Sequence, residues 1–296
     1  MNYRNMDCIE YLSTLPDKSI DLVIADPPYY RVVKDEWDKQ WSSLDDYADW
    51  TALWVKELER VAKHSCNVWL FGYPRNVVNT QLQLNTRGFN FKQQIIVNKG
   101  MRAIAGRTNT NHKLFPTTTE SVFFFHYDAR EHIAELLESE RQKLGWKAID
   151  INTLLGKSTT GGGAYSAMVN SNPEKRVYPK REYWERMSEV FNLPPYEDMV
   201  YTFNLPRGLS DVWDDIDFYD KTVERIHPTQ KPLQLIERII KTSSNEGANV
   251  LDLFAGSGTT GVACKLTNRN FFGCEIDPKY YELSSERIAS VNPILI

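Results

Sequence analysis

The sequence predicts an α/β fold built on a doubly wound, mostly parallel sheet, and three observations carry that expectation. Short apolar runs alternate with stretches of helical periodicity along most of the chain, the pattern of a buried sheet covered on both faces. The run Ile20 to Ala25 reads as a buried strand that Asp26-Pro27-Pro28-Tyr29 stops at once, because consecutive prolines end pairing and disfavour an immediate helix. Near the other end, Asn249 to Leu266 passes from strand through a Gly-rich turn directly into a helix.

In chain order, Asp7 reads as a helix N-cap before Ile9–Leu15, followed by a strand over Asp21–Ala25 and a helix over Leu44–Ala62. Further strands fall at Asn67–Phe71, Gln94–Asn98, Ser121–Tyr127, Asn249–Leu253 and Asn270–Glu275. Helical patterns cover Leu233–Thr242 and Thr259–Leu266, and Pro278–Ala289 closes the chain. Between Ala129 and Lys221 the rhythm breaks into charged helix, the loop "STTGGGAY" and an aromatic, basic stretch. Such excursions are usually recognition elements. The expected organisation is therefore two parts of one sheet domain, 1–128 and 222–296, around an inserted region, 129–221.

At 296 residues, with 42% hydrophobic and 25% charged content, the chain has the make-up of a globular protein. A net charge of -4 announces no global field for nucleic acid, so any such surface must be local. No apolar run is long enough to span a bilayer, and "MNYRNMDCIEYL" lacks the apolar region of a signal peptide. A soluble, cytoplasmic protein is expected. Cys8, Cys66, Cys264 and Cys274 are scattered without ligand spacing, so reduced thiols and no metal site are expected.

The Gly-rich turn by itself could be a plain strand-to-helix connection. Its small residues also let backbone N–H groups approach a ligand at a helix N-terminus. The turn lacks the Lys of a phosphate-binding loop, and Gly256-Ser257-Gly258 does not continue into the dinucleotide fingerprint. Glu275 then falls at the tip of the next strand, at about the twenty-residue offset where an acid meets ribose hydroxyls. A nucleoside is favoured over a phosphate.

"DPPY" (Asp26 to Tyr29), "HPTQKP" (His227 to Pro232) and "FAGSGTTG" (Phe254 to Gly261) together resemble the amino-group DNA methyltransferases that use S-adenosylmethionine. Their order resembles the permuted β-group, in which the cofactor-binding half follows the catalytic half. The resemblance covers residues 1–128 and about 211–290, and it implies a Rossmann-like, seven-stranded methyltransferase sheet with an inserted target-recognition region. It implies that Asp26 and the Pro27 carbonyl accept from the target amino group, with Pro28 stiffening the turn and Tyr29 stacking on a flipped base. It places S-adenosylmethionine against Asp26, Asp252, Phe254, Ala255, Gly256, Ser257, Gly258, Thr259 and Thr260, with its ribose on Glu275. His227, Thr229 and Lys231 fall at the methionine end, and Asp7 and Cys8, in a variant of the family's "GDC" motif with Met6 in place of Gly, meet the adenine. A metal role for His227 is disfavoured, since no partner ligand lies at a fitting spacing.

For double-stranded DNA the candidates are Arg31 and Lys34, beside the catalytic motif, and Lys99, Arg102, Arg107 and Lys113, in the loop "NKGMRAIAGRTNTNHK". A second mixture, "EKRVYPKREYWERM", reads equally well as a solvated face. The segment Tyr30 to Trp41 is expected to close over the flipped base. The resemblance favours adenine N6 as the target, because aspartate opens the motif; cytosine N4 is the alternative. A silent DNA-binding module and a nucleotide-dependent oxidoreductase are weaker rivals, the one opposed by the intact motifs and the other by the missing fingerprint. A second copy of the chain and a cognate restriction endonuclease are compatible partners; the residues leave open whether the enzyme guards against such a nuclease, works alone or serves a phage.

Overall fold

Alternation within Ile20–Ala25 decides the architecture: Leu22 and Ile24 point to one side of the strand, Val23 and Ala25 to the other, and all four are buried. A strand apolar on both faces needs cover on both. The computed structural model describes residues 2–30, 39–104, 115–157 and 163–292. In chain order it contains β1 (Asn2–Asn5), α1 (Cys8–Ser13), β2 (Ile20–Ala25), α2 (Leu44–Val61), β3 (Ala62–Phe71), α3 (Pro74–Thr86), β4 (Phe89–Asn98) and β5 (Thr119–Tyr127). Then come α4 (Arg130–Lys143), α5 (Ala148–Leu154), α6 (Ala164–Met168), α7 (Arg181–Ser188), α8 (Tyr196–Met199) and β6 (Val212–Trp213). The C-terminal part holds α9 (Leu233–Ser243), β7 (Asn249–Asp252), α10 (Thr259–Leu266), β8 (Asn270–Glu275) and α11 (Pro278–Ser290).

The sheet has eight strands in the order β1-β8-β7-β2-β3-β5-β4-β6. The pairings flanking β5, with β3 and with β4, are antiparallel, and the remaining pairings are parallel. The doubly wound, mostly parallel α/β expectation therefore stands, with eight strands in place of seven. Of the two strands that no apolar run announced, β1 is the polar Asn-Tyr-Arg-Asn, held by pairing with Phe272 to Glu275. The other, β6, is two residues long and adds to Ile96 and Val97 at the β4 edge, so the sheet takes up residues expected in the insertion. Both β3 and β4 begin five residues ahead of their apolar runs (Ala62 against Asn67, Phe89 against Gln94): Ala62 meets Ile20 of β2 before a register shift, and Phe89, Asn90 and Phe91 pair with β5.

One face of the sheet buries Leu22, Ile24, Trp69 and Phe71 against Ile236, Ile239 and Ile240 of α9. The other buries Val23, Ala25, Val68 and Leu70 against Leu12 of α1 and Trp54, Val55 and Leu58 of α2. Helices α4 to α8 share a third cluster of their own around Ile133, Leu137, Tyr165, Trp184 and Met187. Tyr183 and Trp184 of the expected basic-aromatic mixture are therefore core residues of this helical unit. The four cysteines are buried and unpaired.

The helical unit meets the sheet partly through two imidazoles, His64 of β3 and His132 of α4, stacked with ring centroids 4.0 Å apart. Burial, then the neighbouring imidazole, then Lys18 depress His64 to about 4, and burial also lowers His132. An unfolded histidine takes its proton near 6.5, so between about 6.5 and about 4 the unfolded chain binds protons that the folded chain refuses. Stability is thus full above that window and falls as pH drops through it. The melting temperature should decline from pH 6.5 to pH 4, and His64→Phe, which keeps a stacked ring without a titrating group, should flatten the decline. An equally steep decline in that variant would refute the assignment.

Candidate active site

Parallel pairing of β2 with β7 aligns Leu22 with Val250 and Val23 with Leu251, so both strands end on the same edge. Chain reversal points and ligand sites collect at that edge of an α/β sheet. From β2 emerges Asp26-Pro27-Pro28-Tyr29, and from β7 the turn that leads to α10. Gly256 and Gly258 have φ of +49° and +70°, a region that L side chains rarely adopt. At Gly258 an added Cβ would also lie 2.9 Å from Ser284 Cβ and 3.0 Å from Ile288 Cδ1.

Carboxylates hold this turn open. Gly256 N donates to Glu275 Oε2 at 2.8 Å and Asp277 N to Oε1 at 2.9 Å. Asp252 accepts from Phe254 N at 3.0 Å and from Thr260 Oγ1 at 2.5 Å. Burial pushes Asp252 up to about 7 and raises Glu275 as well. Each carboxylate oxygen bonded in this way keeps a second lone pair for a ligand.

The cavity in front of the turn is lined by every residue expected on the cofactor side except Gly258: Asp7, Cys8, Asp26, His227, Thr229, Lys231, Asp252, Phe254, Ala255, Gly256, Ser257, Thr259, Thr260 and Glu275. Gly258 sits behind it as the α10 N-cap. Asp7 caps α1, its Oδ1 accepting from Ile9 N at 2.8 Å, and also lines the cavity. His227 is turned by a contact of its Nδ1 with Thr229 Oγ1 at 3.1 Å, and its ring lies 4.3 Å from that of Tyr280. Among the described residues no group of three or more His, Cys, Asp or Glu is placed to hold a metal.

Asp26 and Pro28 also line this cavity. Lys231 Nζ lies 2.5 Å from Asp26 Oδ2, and the Tyr29 hydroxyl donates to Asp26 Oδ1. Tyr47 of α2 donates to the Pro28 carbonyl at 2.8 Å, which leaves the Pro27 carbonyl outside that bond. Burial would strip the Lys231 ammonium, but the carboxylates of Asp26 and Glu120 outweigh it and raise its pKa. Burial, followed by the Asp26 charge, drives the Tyr29 hydroxyl well above its usual range, so it stays a donor. Lys231, placed by sequence at the cofactor's methionine end, therefore bridges the two motifs.

The DNA candidates are less concentrated. Lys99 is mostly buried in an ion pair with Glu120 at 3.0 Å, while Arg102 is exposed, with the Asp217 carboxylate at 4.0 Å. Arg31, Lys34, Arg107 and Lys113 lie outside the described residues, as does most of the segment expected to close over the base. Three neighbours of the site went unnoticed in the sequence. Glu120 pairs Lys99 with Lys231, Trp50 of α2 packs on Phe254 at 5.8 Å, and Tyr280 stands against His227. Helical spacing could have put Trp50 on the inner face of α2; nothing local marks Glu120.

The model of the N6/N4 DNA methylase family matches residues 20–286. The type II methyltransferase M.HinfI of Haemophilus influenzae is 26% identical over 302 residues, spanning 97% of this chain and 68% of its own. M2.DpnII of Streptococcus pneumoniae, also named a type II methyltransferase, is 25% identical over 303 residues, covering 97% and 88%. Among solved structures, M1.HpyAVI in complex with SAM superposes with a TM-score of 0.57 at 20% identity, over 97% of this chain and 98% of that one. The cytosine-N4-specific PvuII DNA methyltransferase gives 0.59 at 15% identity, over 99% and 87%. At such identities these two structures bear on the fold alone.

The turn itself is testable. Gly258→Ala forces a side chain into left-handed backbone, a cost of about 1–2 kcal/mol, and drives it into Ser284 and Ile288. A lowered urea midpoint is expected; an unchanged one would contradict the described turn.

Proposed function

The chain belongs to the DNA methylase family whose model matches residues 20–286, and from that premise we propose that it transfers a methyl group from S-adenosylmethionine to the N6 amino group of an adenine flipped out of double-stranded DNA. One observation carries the reading. The Asp26 carboxylate, at the end of β2, faces the same cavity as the Gly-rich turn at the end of β7.

The residues present suit this cofactor. A left-handed backbone turn at Gly256, a half-buried apolar wall at Phe254, and the Glu275 carboxylate with spare lone pairs match a nucleoside carrying no phosphate. Asp7 and Cys8 would lie by the adenine, Glu275 by the ribose, and Thr229 and the turn 254–260 by the methionine part. When bound, S-adenosylmethionine supplies the electrophilic methyl group on its sulfonium.

On the target side, Asp26 and the Pro27 carbonyl would accept the two N–H groups of the amine and aim its lone pair along the line of transfer. The carboxylate also favours the positive charge that grows on nitrogen, which is a stabilising role rather than that of a strong base. An arriving amine must share Asp26 with the Tyr29 hydroxyl and the Lys231 ammonium, and the Tyr29 ring would stack on the base. Aspartate at the first motif position supports adenine over cytosine. The names of the two curated relatives support a type II restriction–modification setting, with a cognate endonuclease as counterpart. Pairing into a homodimer rests on the family resemblance alone.

Digestion of DNA methylated with labelled S-adenosylmethionine should yield N6-methyl-2′-deoxyadenosine as the labelled nucleoside. Asp26→Ala should cut the rate by about 10²-fold or more, the scale of losing a group aimed at developing charge, with cofactor affinity retained. N4-methylcytosine would overturn the choice of base, and an undiminished rate in the variant would overturn the role of Asp26.

A further inference from the structure

We propose that Glu120 is a positioning residue for methyl transfer, which acts through Lys231 to set the aim and the field of Asp26. This rests on the function proposed above and deepens it. Four charges alternate in sign across the site: Lys99 Nζ is 3.0 Å from Glu120 Oε2, Glu120 Oε1 is 3.8 Å from Lys231 Nζ, and Lys231 Nζ is 2.5 Å from Asp26 Oδ2. Their side chains are only 10% to 21% exposed, so solvent screens them weakly.

Lysine is a point charge on a flexible stem and does not orient a carboxylate unaided. Lys231 arrives from a loop, 205 residues along the chain from Asp26. Glu120 is anchored differently. It sits in β5 opposite Val97 of β4, within the in-register part of the antiparallel ladder from Gln93 to Asn98, and its second oxygen is tied to Lys99. The sheet thus holds Glu120, and its charge, 3.8 Å from the ammonium, helps to fix where Lys231 meets Asp26 Oδ2.

Charge balance leads to the same residue. A positive charge develops on the target nitrogen, and an uncompensated Lys231 ammonium beside Asp26 would oppose it. With Glu120 ionised, as its lowered pKa between two ammonium groups favours, the four side chains sum to zero and Asp26 keeps its field at the amine.

Glu120→Gln keeps the shape and removes the charge. It should lower kcat about 10- to 10²-fold, the scale of misplacing a group that must be aimed, while KM for DNA and cofactor affinity stay near those of the parent. In a Lys231→Met background the same change should add no further loss, because its path runs through Lys231. Glu120→Asp, which keeps the charge, should recover most of the rate even where Glu120→Gln melts early. An unchanged kcat in Glu120→Gln, losses that add on Lys231→Met, or a Glu120→Asp enzyme as slow as Glu120→Gln would each overturn the role. A parent enzyme that transfers no methyl group at all would instead overturn the function, and this role with it.

Discussion

The parallel pairing of β2 with β7 is the constraint on which the rest depends. Its register, Leu22 to Val250 and Val23 to Leu251, brings together segments separated by most of the chain and makes both strands end on one edge. Because the strands run the same way, the acid-proline turn after one and the glycine turn after the other open onto a single cavity. The pairing is central and covered on both faces, so it resists slippage: a shift of one residue would exchange Leu22 and Ile24 for Val23 and Ala25 across the sheet and misplace both packing layers.

Upon that frame the electrostatics divide into two environments. On the glycine-turn side, Asp252 and Glu275 are buried among neutral donors, hydroxyl and backbone N–H, and burial raises both. On the Asp26 side, carboxylates alternate with ammonium groups and Glu120 is lowered. The contrast suits the proposed tasks, since a nucleoside wants hydrogen-bond partners whereas an amine being alkylated wants a negative field. Lys231 belongs to both environments, lining the cavity and pairing with Asp26 through its ammonium.

The C-terminal elements were the most legible in the sequence. The helix Thr259–Leu266 and the strand Asn270–Glu275 have the expected bounds, because apolar runs and turn residues coincide with the true ends. Strands β1 and β6 were not legible: one is polar, the other two residues long, and each exists only through its neighbour. The cavity could be read residue by residue where a motif supplied the residues, as at 254–257, 259 and 260. It could not where the partner is distant in sequence. Glu120 looks like the polar start of an apolar strand, and Lys99 like a DNA contact, until the β4–β5 ladder sets them side by side. Lys231 lines the cavity as expected of its motif, but the motif does not reveal the carboxylate it meets.

The most direct test of the convergence of the two turns is a crystal structure of the chain with S-adenosylhomocysteine bound. The account predicts the adenosine between Asp7 and Glu275, with the thioether sulfur turned toward the Asp26 carboxylate. A cofactor product seated elsewhere, or one whose sulfur faces away from Asp26, would contradict it.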